Sequence, residues 1–133
     1  MEDDIKQKTI LIVEDDHILL EALRDNLLHE GFIALEAMDG EQGLAMAIEK
    51  KPDLILLDIL MPKMDGMEMM HKLRASNDYG KKVPIILLTN LTPDEEKIMK
   101  QITTDEPAYY LVKSQWSLKD ILEKIKERLA RVE

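Results

Sequence analysis

Five short apolar runs punctuate the chain: TILIV (9–13), FIALEA (32–37), LILL (54–57), PIILLT (84–89) and YYLV (109–112). Runs of this length with almost no polar break mark strands buried on both faces. Amphipathic stretches fill the gaps. In DHILLEALRDNLLHEG, Leu19, Leu23 and Leu27 recur every four residues, and Gly31 supplies a helix stop. DGEQGLAMAIEKKP opens on Asp39 and halts at Pro52, and DGMEMMHKLRAS reads as a third helix. A fourth starts in TPDEEKIMKQI, with Thr92 as cap, Pro93 at the first helical position and Glu95 completing a capping box. The fifth starts at Ser117, aligns Leu118, Ile121, Leu122, Ile125, Leu129 and Val132 on one stripe, and is expected to run to residue 133.

Strands alternating with helices predict an α/β chain with a five-stranded parallel sheet covered on both faces, a three-layer (βα)5 sandwich. FIALEA is the most mixed run and is placed at an edge. In strand order 2-1-3-4-5 the switch point lies between strands 1 and 3, where ligands bind at the C-terminal ends of strands. The residues there are Glu14-Asp15-Asp16 after strand 1, Asp58 after strand 3, Thr89 at the end of strand 4 and Lys113 after strand 5. Asp58 follows four apolar residues directly. A carboxylate so placed needs partners, because burying an isolated charge is costly. This edge offers two acids, a hydroxyl and an ammonium.

Bulk properties narrow the chemistry. At 133 residues the chain is long enough for one core. It has no cysteine, which excludes disulfide and thiolate chemistry and suits a reducing, cytoplasmic setting. The start MEDDIKQK is no secretory signal, and no apolar run approaches a membrane span. The net charge of −9 argues against DNA binding and favours a divalent cation or a basic partner. Clustered carboxylates repel one another, and a hard cation such as magnesium relieves them and pairs with phosphate. A carboxylate beside a metal, a lysine and a hydroxyl can accept a phosphoryl group as an aspartyl phosphate.

The segments ILIVEDD, LLDILMPKMDG, ILLTN and YYLVKS resemble the signature segments of response-regulator receiver domains of two-component signalling, over about residues 8–131. That resemblance implies the flavodoxin-like fold. It implies residues 1–8 as a polar tail, 9–133 as the receiver domain and no output domain. By position, Asp58 would be the phosphoacceptor. Asp15 would bind Mg2+ directly, Glu14 would help through water, and the Leu60 carbonyl would be a further ligand. Thr89 and Lys113 would hold the phosphoryl group, and Tyr110 would be the aromatic switch. The donor would be a phosphohistidine on a sensor kinase or phosphotransfer protein. The output would be a downstream partner or a homodimer, through the face of the fourth helix, fifth strand and fifth helix. The resemblance implies no turnover enzyme.

Three positions depart from the family pattern. Ser114 replaces the usual cis proline after the lysine, so either a strained cis bond or a trans loop follows. A cis bond without proline costs about 2.5–4 kcal/mol. Asn90 is larger than the small residue usual after the switch threonine and is expected to alter dephosphorylation. TTDEPAYY lacks the glycine often found before strand 5, and Pro107 is expected to fix that turn. Ser114 is the best support for a second reading, a pseudo-receiver used only for binding. A phosphatase would carry an acid where Leu60 stands, and a nucleotide site would need a glycine-rich loop after strand 1. Asp16 reads as a helix cap, and His17, His29 and His71 as surface or cap residues without metal-ligand spacing. The methionines 61, 64, 67, 69 and 70 read mainly as packing. The fourth helix is sparse in large apolar residues (Ile98, Met99, Ile102), as suits an element that shifts on phosphorylation.

Overall fold

The computed structural model describes residues 7–90 and 96–131, and the side chains of 96–99 and 103 lie outside that description. In chain order the elements are β1 (Thr9–Val13), α1 (His17–His29), β2 (Ile33–Ala37), α2 (Gly40–Lys50), β3 (Leu54–Leu57), α3 (Gly66–Arg74), α4 (Asp78–Lys82), β4 (Ile85–Thr89), α5 (Glu96–Asp105), β5 (Tyr109–Val112) and α6 (Leu118–Leu129). The strands form one parallel sheet in the order β2-β1-β3-β4-β5. This is the expected flavodoxin-like order, with the mixed strand β2 at the edge.

Alternation within each strand sends side chains to the two faces. Leu11, Val13, Ile55, Leu57, Ile85 and Leu87 pack with Ala47 of α2 and Met69, Met70 and Leu73 of α3. Ile10, Ile12, Leu54, Leu56, Ile86 and Leu88 pack on the other face with Leu20, Leu23 and Leu27 of α1 and Ile121, Leu122 and Ile125 of α6. Met64 and Met67 are buried in the first cluster and Met61 packs against it, so the methionine-rich stretch is packing.

Polar caps set where the helices start. Asp16 accepts the Ile18 and Leu19 amides, Asp39 that of Gln42, Asp65 that of Glu68, and Ser117 that of Asp120. Gly31 ends α1 with φ 95°. The Thr92–Pro93–Glu95 capping box, the Ile98 and Met99 side chains and Val132 lie outside the described residues.

Two expectations are corrected and one element is added. The last helix stops at Leu129, with Ala130 as its cap, and does not reach the chain end. The short helix α4 has no apolar period; Asn77 caps it by accepting the Gly80 amide, and Tyr79 anchors it with a 2.6 Å hydrogen bond to the Pro52 carbonyl. The turn before β5 is made by Glu106, at φ 47°, and not by Pro107 alone. Left-handed backbone costs a non-glycine residue about 1–2 kcal/mol, and Arg74 offsets it: Nε donates to the Asp105 carbonyl (2.8 Å) and Nη2 to that of Glu106 (3.3 Å).

Candidate functional site

The sheet ladder places the acids. Beyond the strands proper, the Asp58 amide donates to the Val13 carbonyl and the Glu14 amide to that of Ala37, both at 3.0 Å. These bonds fix Asp58 and Glu14 side by side at the switch point. Glu14, Asp15 and Asp58 can each bring one carboxylate oxygen within 4.8 Å of the others. Glu14 and Asp58 are buried and Asp15 is exposed. Three hard oxygen donors so close together suit a hexacoordinate divalent cation that keeps some of its waters.

Lys113 closes the site. Its Nζ lies 2.8 Å from Glu14 Oε1 and 3.1 Å from Asp58 Oδ2. Asp58 Oδ1 accepts the Ile59 amide at 2.8 Å, and Glu14 Oε2 accepts that of Asp16 at 3.1 Å. No described peptide bond is cis, so Lys113–Ser114 runs trans and opens a 3-10 turn, Lys113–Gln115. The lysine reaches Asp58 all the same.

One ammonium serves two buried carboxylates, which leaves excess negative charge. Burial and the nearby Asp58 push Glu14 up to about 7, against the lowering effect of its bonds to Lys113 and the Asp16 amide. Burial works against the Lys113 ammonium, but Glu14 and Asp58 outweigh it and raise its pKa. The two causes differ: desolvation dominates at Glu14, whereas contact with the acids outweighs desolvation at Lys113.

Thr89 ends β4, fully buried, and pairs in register with Val112, the residue before Lys113. Tyr110 pairs with Leu87 and packs, half-buried, on the face that α3 covers. Its neighbour Tyr109 faces the other side, where its hydroxyl donates to Glu127. Leu60 lies in the loop after β3 with its side chain exposed, and Asn90 is exposed beyond β4.

Sequence reasoning missed a second polar cluster. His71 Nδ1 lies 3.3 Å from both oxygens of Asp105, a buried carboxylate at the end of α5. Gln101 donates to Asp105 Oδ2 at 3.0 Å and to the Met67 carbonyl. Arg74 also donates to Val83 (2.6 Å) and Gly80 (3.0 Å) carbonyls, and burial lowers its pKa against the pull of Asp105 and Glu106. The signal was the missing glycine in TTDEP: a left-handed turn without glycine needs outside support.

Residues 10–126 match the sequence model of the response regulator receiver domain. The alkaline phosphatase synthesis transcriptional regulatory protein PhoP of Bacillus subtilis is 37% identical over 69% of this chain. The DNA-binding dual master transcriptional regulator RpaA of Synechocystis is 36% identical over 67%. The chain spans only 37% of PhoP and 36% of RpaA, so their names describe much longer proteins. Among solved structures, a CheY-like receiver domain protein from Methanospirillum hungatei is 29% identical, with a TM-score of 0.83 over 93% of this chain and 94% of that one. The BeF3-activated receiver domain of Klebsiella pneumoniae RstA is 26% identical, with a TM-score of 0.79 over 93% of this chain and all of that one.

Proposed function

This chain belongs to the response regulator receiver family, regulatory domains of two-component signal transduction, and from that membership we propose that it is a phosphoacceptor whose Asp58 takes a phosphoryl group from a phosphohistidine. The observation that carries the reading is the shared ammonium: Lys113 touches both Asp58 and Glu14 although Ser114 stands where the family has proline. With Lys113 in reach, the pseudo-receiver reading loses its best support.

In the proposed step an Asp58 oxygen attacks phosphorus in line, the P–N bond breaks, and the imidazole leaves with the bonding pair and takes up a proton. Glu14, Asp15 and Asp58, with the Leu60 carbonyl, would hold Mg2+, which neutralises the acids and the phosphoryl oxygens when bound. Lys113 turns from Asp58 to the new phosphoryl oxygens, and the Thr89 hydroxyl donates to them. Drawing Thr89 inward makes room for Tyr110 and alters the face of α5, β5 and α6, read by a partner protein or a second copy. This is a population shift driven by contacts made in one state. Ile18 and Leu60 expose large apolar side chains next to the acids in sequence and offer the donor protein apolar footing. No described helix is long and apolar enough to cross a membrane.

The deciding experiment is intact mass after incubation with Mg2+ and acetyl phosphate or phosphoramidate, then with a phosphohistidine protein. One added phosphoryl group, absent from Asp58→Asn, is the expected result; no gain from any donor sinks the reading.

Glu14 adds a pH dependence. Its folded pKa is raised above the usual carboxylate value, so its protonation stabilises the metal-free fold at low pH, and that contribution is lost as pH rises from about 4.5 through about 7. Mg2+ requires the ionised form, so its affinity is expected to be about tenfold weaker at pH 6 than at pH 8. Titration followed by Trp116 fluorescence checks this; equal affinity at both pH values would show that Glu14 takes no part.

A further inference from the structure

α3 is tied to the site at one end and to α5 at the other. At its start, the Gly66 amide donates to the Ile59 carbonyl (2.8 Å), and a Cβ on Gly66 would fall 2.0 Å from the Asp58 carbonyl oxygen. At its far end, the polar cluster grips the last turn of α5. This cluster has two parts of different character. The Arg74 guanidinium spreads over four carbonyls, those of Gly80 and Val83 on one side and of the adjacent Asp105 and Glu106 on the other. That part is a seat, costly to dismantle. The other part is a contact between a carboxylate 4% exposed and an imidazole 63% exposed, beside Gln101, which donates to the same carboxylate and to the Met67 carbonyl. An ionised Asp105 can only accept, and it is the ring's Nδ1 that faces it. Beside them lies a surface groove of ≈ 350 Å³ between Glu68, His71, Gln101 and Thr104.

We propose that His71 and Asp105 form a bolt that holds the C-terminal end of α5 against α3 in the unphosphorylated state and so opposes switching. The proposal rests on the receiver reading for the switch itself. Its physical basis is an asymmetry. While the bolt is closed, the exposed His71 supplies a donor to a carboxylate that the fold has already taken out of water. Any displacement of α5 along α3 strips a buried carboxylate of a donor, and a buried group left with fewer donors is costly. The α5 turn continues through Glu106 and Pro107 into β5, which carries Tyr110, so the bolt acts on the element next to the aromatic switch. His71 and Asp105 are positioning residues, remote from the transferring group.

The test uses the full chain and two variants, His71→Ala at an exposed position and Asp105→Asn at constant volume. The first arm is amide exchange without any phosphodonor. Residues 101–106 are expected to exchange about tenfold faster in His71→Ala, with β4 unaffected; rates within twofold of the parent overturn the bolt. The second arm is the half-saturating concentration of beryllofluoride with Mg2+. It is expected to fall several-fold in both variants, because the state opposing the ligand has been weakened; an unchanged or higher value overturns the coupling, since merely structural damage would not favour the bound state. In the double variant the effects should not add, and full additivity would show that the two residues act separately. Failure of the parent to bind beryllofluoride would overturn the receiver reading and the coupling with it, while the exchange arm still decides the bolt.

Discussion

Replacing Lys113 with methionine is expected to give a protein that is markedly less stable at neutral pH and no longer phosphorylated at a useful rate. Methionine keeps the length of the stem and removes the ammonium. Glu14 and Asp58 then share a buried edge with no cation between them. Removing one partner from a buried ion pair typically costs about 3–5 kcal/mol, because it strands the other charge. The deficit depends on pH in a defined sense. Glu14 already sits near 7 and loses the hydrogen bond that lowers it, so its protonation extends to higher pH. The variant should therefore approach the parent in stability as pH falls from 8 to 5, and Mg2+ at neutral pH should also restore it. Urea unfolding at several pH values, with and without Mg2+, reads both effects. A constant deficit across that range would mean that Lys113 acts through packing alone.

Gly66→Ala is the second large effect. Its Cβ would lie 2.0 Å from the Asp58 carbonyl oxygen, 2.9 Å from the carbonyl carbon and 3.0 Å from Ile59 Cα. All three are backbone, so no rotamer change relieves the clash. Either α3 moves away, breaking the Gly66–Ile59 hydrogen bond, or the backbone that carries Asp58 is displaced. Overpacking of this kind costs about 3 kcal/mol, which for a chain of this size lowers Tm by roughly 10 °C. Gly43→Ala is a useful contrast, because its nearest neighbours are the side chains of Met69 and Val13. It should cost less and leave phosphorylation intact. A Gly66→Ala variant with parental Tm and phosphorylation rate would show that the loop after Asp58 yields freely.

Much of this was legible in the sequence, for reasons that can be named. Strands buried on both faces favour unbroken apolar runs, so TILIV and LILL coincide with β1 and β3, and YYLV coincides with β5 although that edge strand is only half-buried. The parallel order then delivers residues at strand ends to one edge, which is why Asp58, Glu14 and Lys113 could be grouped before any distance was known. What stayed hidden depends on distances or on several segments at once. α4 has too few residues for an apolar period and rests on Asn77 and the Tyr79–Pro52 bond. The closer approach of Lys113 to Glu14 than to Asp58 is a matter of tenths of an ångström. Arg74 reads as an ordinary basic residue in a last turn, and its four acceptors come from α4, the approach to β4 and the end of α5. His71 shows no metal-ligand spacing because its partner, Asp105, lies on another helix.

The left-handed Glu106 has a consequence for how this chain can change over generations. A glycine there would hold the turn by itself, and position 74 would then answer only for the Gly80 and Val83 carbonyls. With glutamate, the turn depends on the guanidinium that grips carbonyls 105 and 106. Loss of the arginine before gain of the glycine leaves the turn itself unsupported, whereas in the reverse order only the Gly80 and Val83 carbonyls lose a donor. The two positions are thus bound by the order in which they may mutate, a one-way path written into a single turn of backbone.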